Sequence, residues 1–197
     1  GPEKLEKWDY AYYAEKLKME LYAFDDEMLR PYFKLENVID GVFKVAQKLF
    51  NLDFKQVTNI PLYHEEVLTY EVYSAETFVG LFYADFFPRA GKRSGAWMTQ
   101  FKGQKKGQRP HVSIVCNFTK PTKDKPSLIT HDEVRILFHE FGHALHGLLS
   151  NVSYESISGP NVYWDFVELL SQILENWTQE KECLEIFAKH FETGEKM

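Results

Sequence analysis

The sequence predicts an α+β fold, mostly helical, with a small and mostly antiparallel sheet. Three observations carry this. Apolar residues recur at helical spacing over the first quarter of the chain and again from Val134 onward. Between these regions, short runs alternate apolar and polar residues, as half-buried strands do. The connections between those runs are too short for crossover helices, which points to antiparallel pairing.

The elements follow in order. Leu5, Trp8, Tyr12, Leu17 and Leu21 mark a first helix reaching about Phe24. Pro31 separates it from a second. There Leu35, Val38, Ile39, Val42, Phe43, Ala46, Leu49 and Phe50 follow an i, i+3, i+4, i+7 pattern. Gly41 inside that helix costs about 1 kcal/mol relative to alanine. Leu68, Tyr70 and Val72 alternate as on a strand, and Phe78 to Phe87 is a second apolar run ending at Pro88. Ala90 to Ser94 is a basic turn. Gly95 to Phe101 and Val112 to Phe118 read as two further strands, joined by a Lys/Gly/Gln-rich loop from Lys102 to Pro110. Thr130 and Glu133 form a T-x-x-E capping box that opens a helix. Val134, Leu137, Phe138, Phe141, Leu145 and Leu148 carry it to about Leu149. After a polar connection from Asn151 to Pro160, one long helix is expected from Tyr163 to Thr178, and the tail beyond Cys183 is helical again.

Composition sets the outer limits. With 197 residues, 44% hydrophobic and 26% charged, the chain can bury one sizeable core and is globular. A net charge of −6 and the lack of a basic stripe argue against nucleic acid as a partner. No apolar run approaches the roughly 20 residues that span a membrane, so no membrane partner is expected. With no secretion signal in view, a cytoplasmic location is expected, and the sequons at Asn117, Asn151 and Asn176 read as chance matches. Gly1-Pro2 reads as the scar of a cleaved tag, which leaves 3–197 as the domain. Cys116 and Cys183 have no C-x-x-C spacing and are expected to be buried free thiols. Aromatic content is high at 16%, which fits either a large aromatic core or an interface that the chain does not complete by itself.

The chemistry lies in His139-Glu140-Phe141-Gly142-His143. Residues four apart share a helix face, so the two imidazoles can reach one metal ion. A glutamate beside the first histidine can take a proton from water activated by that metal, as in zinc hydrolases. Three fixed letters recur by chance in about one chain in a hundred of this length. The bland alternative is a helix with satisfied histidines; the cap and the polar residues in an apolar frame count against it. A catalytic zinc needs three protein ligands and an open position. A metzincin would carry glycine three residues after His143 and a further histidine; His146 and Leu149 exclude that pattern. His146 itself is open to a role near the site or to a plain core-edge position. Asp165, Glu168, Gln172 and Glu175 form a polar stripe on the last helix. Such a stripe is commonly a solvated face, yet here it is flanked by Phe166, Leu170, Leu174 and Trp177. A helix pair of this kind can point Glu168 at the metal, with Asp165 orienting a histidine through its free ring N–H. Glu155 and Glu175 are further candidates for the third ligand.

Four blocks then resemble the thimet oligopeptidase family of zinc peptidases, which includes oligopeptidase A. They are Phe82 to Met98 (FYADFFPRAGKRSGAWM), His111 to Pro121 (HVSIVCNFTKP), Phe138 to Gly147 (FHEFGHALHG) and Asp165 to Trp177 (DFVELLSQILENW). The run from Tyr32 to Phe54 is most similar to the peptidyl-dipeptidase branch, Dcp. The resemblance implies a partial zincin-like domain, with the H-E-x-x-H helix and a glutamate-bearing helix packed beside the sheet. It implies one zinc ion held by His139, His143 and Glu168, with Glu140 as general base and Asp165 in support. Gly95, Ala96 and Trp97 resemble the strand edge that pairs with substrate backbone. The implied substrates are short peptides, losing C-terminal dipeptides or, in the alternative, cut internally. Two positions depart from the family pattern. Leu170 stands where proline is usual, which leads us to expect a straighter ligand helix, and Pro160 stands where threonine is usual. Family members are also several times longer. The chain therefore resembles a piece of a catalytic region whose partners include the missing parts of its parent. Absent oxyanion donors cost about 2.7–4 kcal/mol each. Weak turnover, or zinc binding without turnover, is expected of the piece alone.

Overall fold

The computed structural model describes residues 4–22 and 26–197. Gly1 and Pro2, and Phe24, the expected end of the first helix, lie outside the described residues. Helix α1 (Asp9–Tyr22) buries none of its residues, so its apolar stripe of Tyr12, Leu17 and Leu21 faces outward. A short 3-10 turn at Arg30–Tyr32 holds Pro31 and leads into helix α2 (Leu35–Phe50). The α2 stripe is buried at Leu35, Val38, Ile39, Val42 and Ala46, joined by Val45, while Phe43 is half-buried and Leu49 and Phe50 at the end of the helix are exposed. Gly41 has a packing cause, since a Cβ there would meet the Phe187 ring at 2.5 Å. Asn51 ends α2 in the left-handed region at φ 54°.

The sheet has five strands: β1 (Leu52–Val57), β2 (Leu68–Ser74), β3 (Thr77–Asp85), β4 (Trp97–Lys102) and β5 (His111–Val115). Their order is β1-β2-β3-β5-β4. Strand β1 was not expected. Its inward apolar residues are Leu52 and Phe54, followed by the exposed Gln56, and two apolar residues are too few to signal a strand. The expected sheet is also corrected in kind: it is mixed. The β1–β2, β2–β3 and β4–β5 ladders are antiparallel, but β3 and β5 run parallel. Short connections do force the hairpins. However, the 86–96 loop carries the chain past an open lane beside β3, and β5 returns to fill it.

Helix α3 (His131–Leu149) lies on this sheet. Its capping box is complete, with Glu133 N donating to Thr130 Oγ1 at 3.1 Å and Thr130 N donating to Glu133 Oε2 at 2.8 Å. Its far end is capped by Arg109, whose guanidinium donates to Leu148 O, Ser150 O and Val79 O. The buried face of α3 meets an aromatic cluster in which Phe43 stacks on Phe54 at 4.2 Å and Phe141 packs edge-on to Phe82 at 5.6 Å. Cys116 and Cys183 are buried free thiols.

The expected single helix from 163 to 178 is broken. Helix α4 (Trp164–Val167) and helix α5 (Leu169–Glu175) meet at a turn on Glu168, and a 3-10 segment follows at Asn176–Gln179. Leucine at position 170 does not straighten it. The Ser171 hydroxyl is 2.8 Å from Glu168 O, competing for a carbonyl that also accepts from Gln172 N. Helix α6 (Lys181–Phe187) then packs on α2 and already contains Cys183, but it ends at Phe187, so most of the expected helical tail is not helical. Among the described residues no helix is long and apolar enough to cross a membrane.

Candidate metal centre

His139 and His143 sit one turn apart on α3, with ring centroids 4.9 Å apart. Glu168, at the α4–α5 turn, reaches both: its Oε2 is 3.1 Å from His143 Nε2 and 3.3 Å from His139 Nε2. One ligand atom from each of the three lies within 4.8 Å of the others. Zinc–ligand bonds of about 2.0–2.1 Å in a tetrahedron place ligand atoms roughly 3.3 Å apart. The donor set therefore fits a zinc ion in both chemistry and spacing.

Close helix packing makes this reach possible. A Cβ on Gly142 would meet Ser171 Cα at 2.6 Å and Leu170 O at 2.8 Å. Glycine inside the motif thus lets α5 touch the α3 backbone. Buried Ser171 also lies 2.8 Å from Glu168 Oε2, so its hydroxyl can donate to that carboxylate.

The protonation states are set by neighbours and burial. His139 Nδ1 is 2.6 Å from Glu175 Oε1, and donation to that carboxylate leaves the Nε2 lone pair facing Glu168. Arg135 in turn holds Glu175 Oε2 at 3.4 Å. Burial lowers the His143 pKa and favours the neutral, ligating imidazole. Glu140 is 7% exposed and makes no hydrogen bond among the described residues. Burial lifts its pKa to about 7; the His139 charge opposes this and the Glu168 charge adds to it.

Other expected residues fall differently. Asp165 is exposed and has no hydrogen bond or ion pair among the described residues. The carboxylate on His139 Nδ1 is Glu175, not Asp165. In this antiparallel helix pair, a residue further along α5 faces one earlier on α3, so Glu175 meets His139, while Asp165 lies on α4 and is exposed. Glu155 accepts from Gly103 N at 3.3 Å and pairs with Lys105 at 3.6 Å, well away from the histidines in the fold. His146 lines a separate, mostly apolar cavity of about 540 Å³ beside Leu145, Leu170 and Trp177.

The expected substrate edge is partly redrawn. Gly95 is a turn residue at φ 93°, Ala96 follows it, and the strand begins at Trp97. Strand β4 is last in the sheet, so one side of its backbone has no strand partner. Two cavities of about 350 Å³ each flank His139 and Glu140, and Ala96 lines both. One also touches Arg135 and Ile136, the other Met98, Pro160 and Val167. Ser171, Gly142 and Arg135 were not singled out from sequence. Their roles depend on how α3 and α5 meet, which neither helix encodes alone.

Comparison with known proteins decides the lineage. The sequence profile of Peptidase family M3 matches residues 1–197. The chain belongs to that family. It is 43% identical over 204 residues to oligopeptidase A of Salmonella typhimurium, covering 100% of this chain and 30% of that protein. It is 42% identical over 201 residues to dipeptidyl carboxypeptidase of the same organism, again covering 100% and 30%. A thimet-like oligopeptidase of Dictyostelium discoideum is 40% identical, covering 90% of this chain and 28% of its own. The chain thus spans about a third or less of the length of the curated relatives it matches. Its similarity to the oligopeptidase A and dipeptidyl carboxypeptidase relatives is nearly equal.

Proposed function

We propose that this M3-family chain carries the metal and general-base half of a zinc peptidase acting on short peptides. The observation that carries the reading is the convergence of His139 Nε2, His143 Nε2 and Glu168 Oε2 beside the buried, unpartnered Glu140. Zinc bound there would supply a Lewis acid that polarises a peptide carbonyl and acidifies a water.

The chain's own groups account for the rest. Glu175 keeps the Nδ1 proton of His139, so that Nε2 remains a lone-pair donor. Glu140 takes a proton at its carboxylate and returns it to the leaving amine; burial keeps that carboxylate near the midrange such shuttling needs. A cation at the three donors favours its ionised form before the reaction. Ala96 and Trp97 offer backbone groups along the cleft, which would bind peptides of varied side chain. The packing of α3 on the sheet supports a zincin-like arrangement.

Release of C-terminal dipeptides is the favoured mode, following the likeness of the 32–54 run to that branch. Internal cleavage is the second reading, favoured by the 43% identity to a relative named oligopeptidase A. A peptide pair with free and amidated C-termini separates them: release of C-terminal dipeptides requires the free carboxylate. For the shared chemistry, Glu140→Gln should retain zinc by elemental analysis and lose about 10²–10⁴-fold in peptide hydrolysis. Turnover at the wild-type rate would remove Glu140 from the base role.

A further inference from the structure

The loop between β3 and β4 is tied down by groups that the proposed chemistry does not use. Lys92 Nζ lies 2.8 Å from Asp85 Oδ1, 3.1 Å from Asp85 O, 2.8 Å from Phe87 O and 2.6 Å from Cys116 O. Its side chain is 4% exposed. These acceptors mark the C-terminal ends of β3 and β5, so one loop side chain clamps the two parallel strands and the start of its own loop. Asp85 does not need it for neutralisation, because Arg89 already meets that carboxylate with two bonds of 2.8 Å. Asn117 adds a second tie, donating from Nδ2 to Arg93 O at 3.0 Å and Gly95 O at 2.8 Å. These are loop carbonyls outside the core. Gly91 at φ 80° and Gly95 at φ 93° bend the chain into and out of the tied segment. The next residue is Ala96, which lines both cavities beside Glu140.

We propose that Lys92 and Asn117 are positioning residues that hold the Ala96–Trp97 end of β4 where a peptide can lie across Glu140. The inference rests on the reading above that these cavities take peptide. A neutral or truncated side chain at either position would free the 93–96 segment while leaving α3, α5 and the donor set unchanged. Displacing a substrate edge by about 1 Å can cost up to roughly a hundredfold.

The test uses zinc-loaded chain with Asn117→Ala and Lys92→Met, and an N-acetylated tetra-alanine peptide as probe. Three quantities are measured: zinc per chain, amide exchange at Ala96 and Trp97, and peptide binding with KM and kcat resolved. The expected result is unchanged zinc, exchange faster by about tenfold, and a Kd or KM raised about tenfold with kcat nearly constant. Unchanged exchange, or unchanged peptide affinity, overturns the proposal. Zinc lost in step with peptide affinity also overturns it, since the ties would then serve the whole fold. Should Lys92→Met not fold, Asn117→Ala decides, because it removes no buried charge. Wild type that binds zinc but no peptide would sink the cleft reading; the exchange rates would still decide whether the ties hold the edge.

Discussion

Two polar clusters interrupt the apolar interior, and they are built in opposite ways. At the end of β3, Asp85 is surrounded by donors: Arg89 through two nitrogens, Lys92, and the Tyr63 hydroxyl at 3.1 Å. Every charge there is answered. Between α3 and α5, groups that can all serve as metal donors converge on one another. Two imidazole nitrogens and a carboxylate oxygen converge within 4.8 Å, and Glu140 beside them has no partner among the described residues. A closed cluster is costly to break, whereas a buried carboxylate without a partner is costly unless something electrophilic joins it. The contrast separates a structural ion pair from a chemical site without reference to ancestry.

The comparison can be broken most forcefully at the closed cluster. Asp85→Ala leaves the buried Lys92 and the half-buried Arg89 without their carboxylate, and should cost about 3–5 kcal/mol of stability. Denaturant melts would measure this. Folded mutant at low temperature should still take up zinc, because no metal donor is touched. Acid provides a gentler version. Burial alone would raise the Asp85 pKa, but hydrogen bonds from Arg89 and Lys92 and the charge of Lys92 outweigh it, so the folded pKa is lowered. A depressed carboxylate stabilises the fold above its unfolded pKa of about 3.9 and stops doing so as pH falls through the folded value. The stability gap between wild type and Asp85→Asn should therefore be constant near neutrality and close below about pH 4.

Gly142→Ala tests the packing that joins the α3 and α5 halves of the site. Overpacking against the Ser171 backbone should cost about 1–3 kcal/mol and weaken zinc binding in the same variant. Glu175→Gln should do the reverse of Asp85→Ala: little change in melting, but a loss of about 10–100-fold in zinc affinity, measured by competition with a chelator. Equal affinity in mutant and wild type would reduce Glu175 to a surface charge.

Much of this was legible in the sequence, and the limits have physical causes. Helix α2 announced itself by eight apolar positions at helical spacing, five of them buried, and α3 by its capping box. The pair His139 and His143 needed nothing beyond a helix to be brought together. Glu168 was harder, since its reach depends on Gly142 admitting α5 and on the turn that Ser171 helps to make. Asp165 was misjudged for that reason: on an unbroken helix it lies one turn from Glu168 on the same face, but the break turns it to solvent. Glu175 was read as a rival ligand because charge and spacing cannot say which nitrogen of His139 a carboxylate will meet. Strand β1 carries two inward apolar residues, too faint an alternation to read. The parallel β3–β5 ladder comes from the order in which lanes are filled, which local pattern does not record.

The central claim is that His139, His143 and Glu168 would hold one zinc ion beside Glu140. Zinc titration of the purified wild-type chain, followed by calorimetry alongside His143→Ala, tests it most directly. Wild type should bind about one zinc per chain, with protein folding unchanged in the mutant and binding lost. Equal zinc uptake by both would contradict the account.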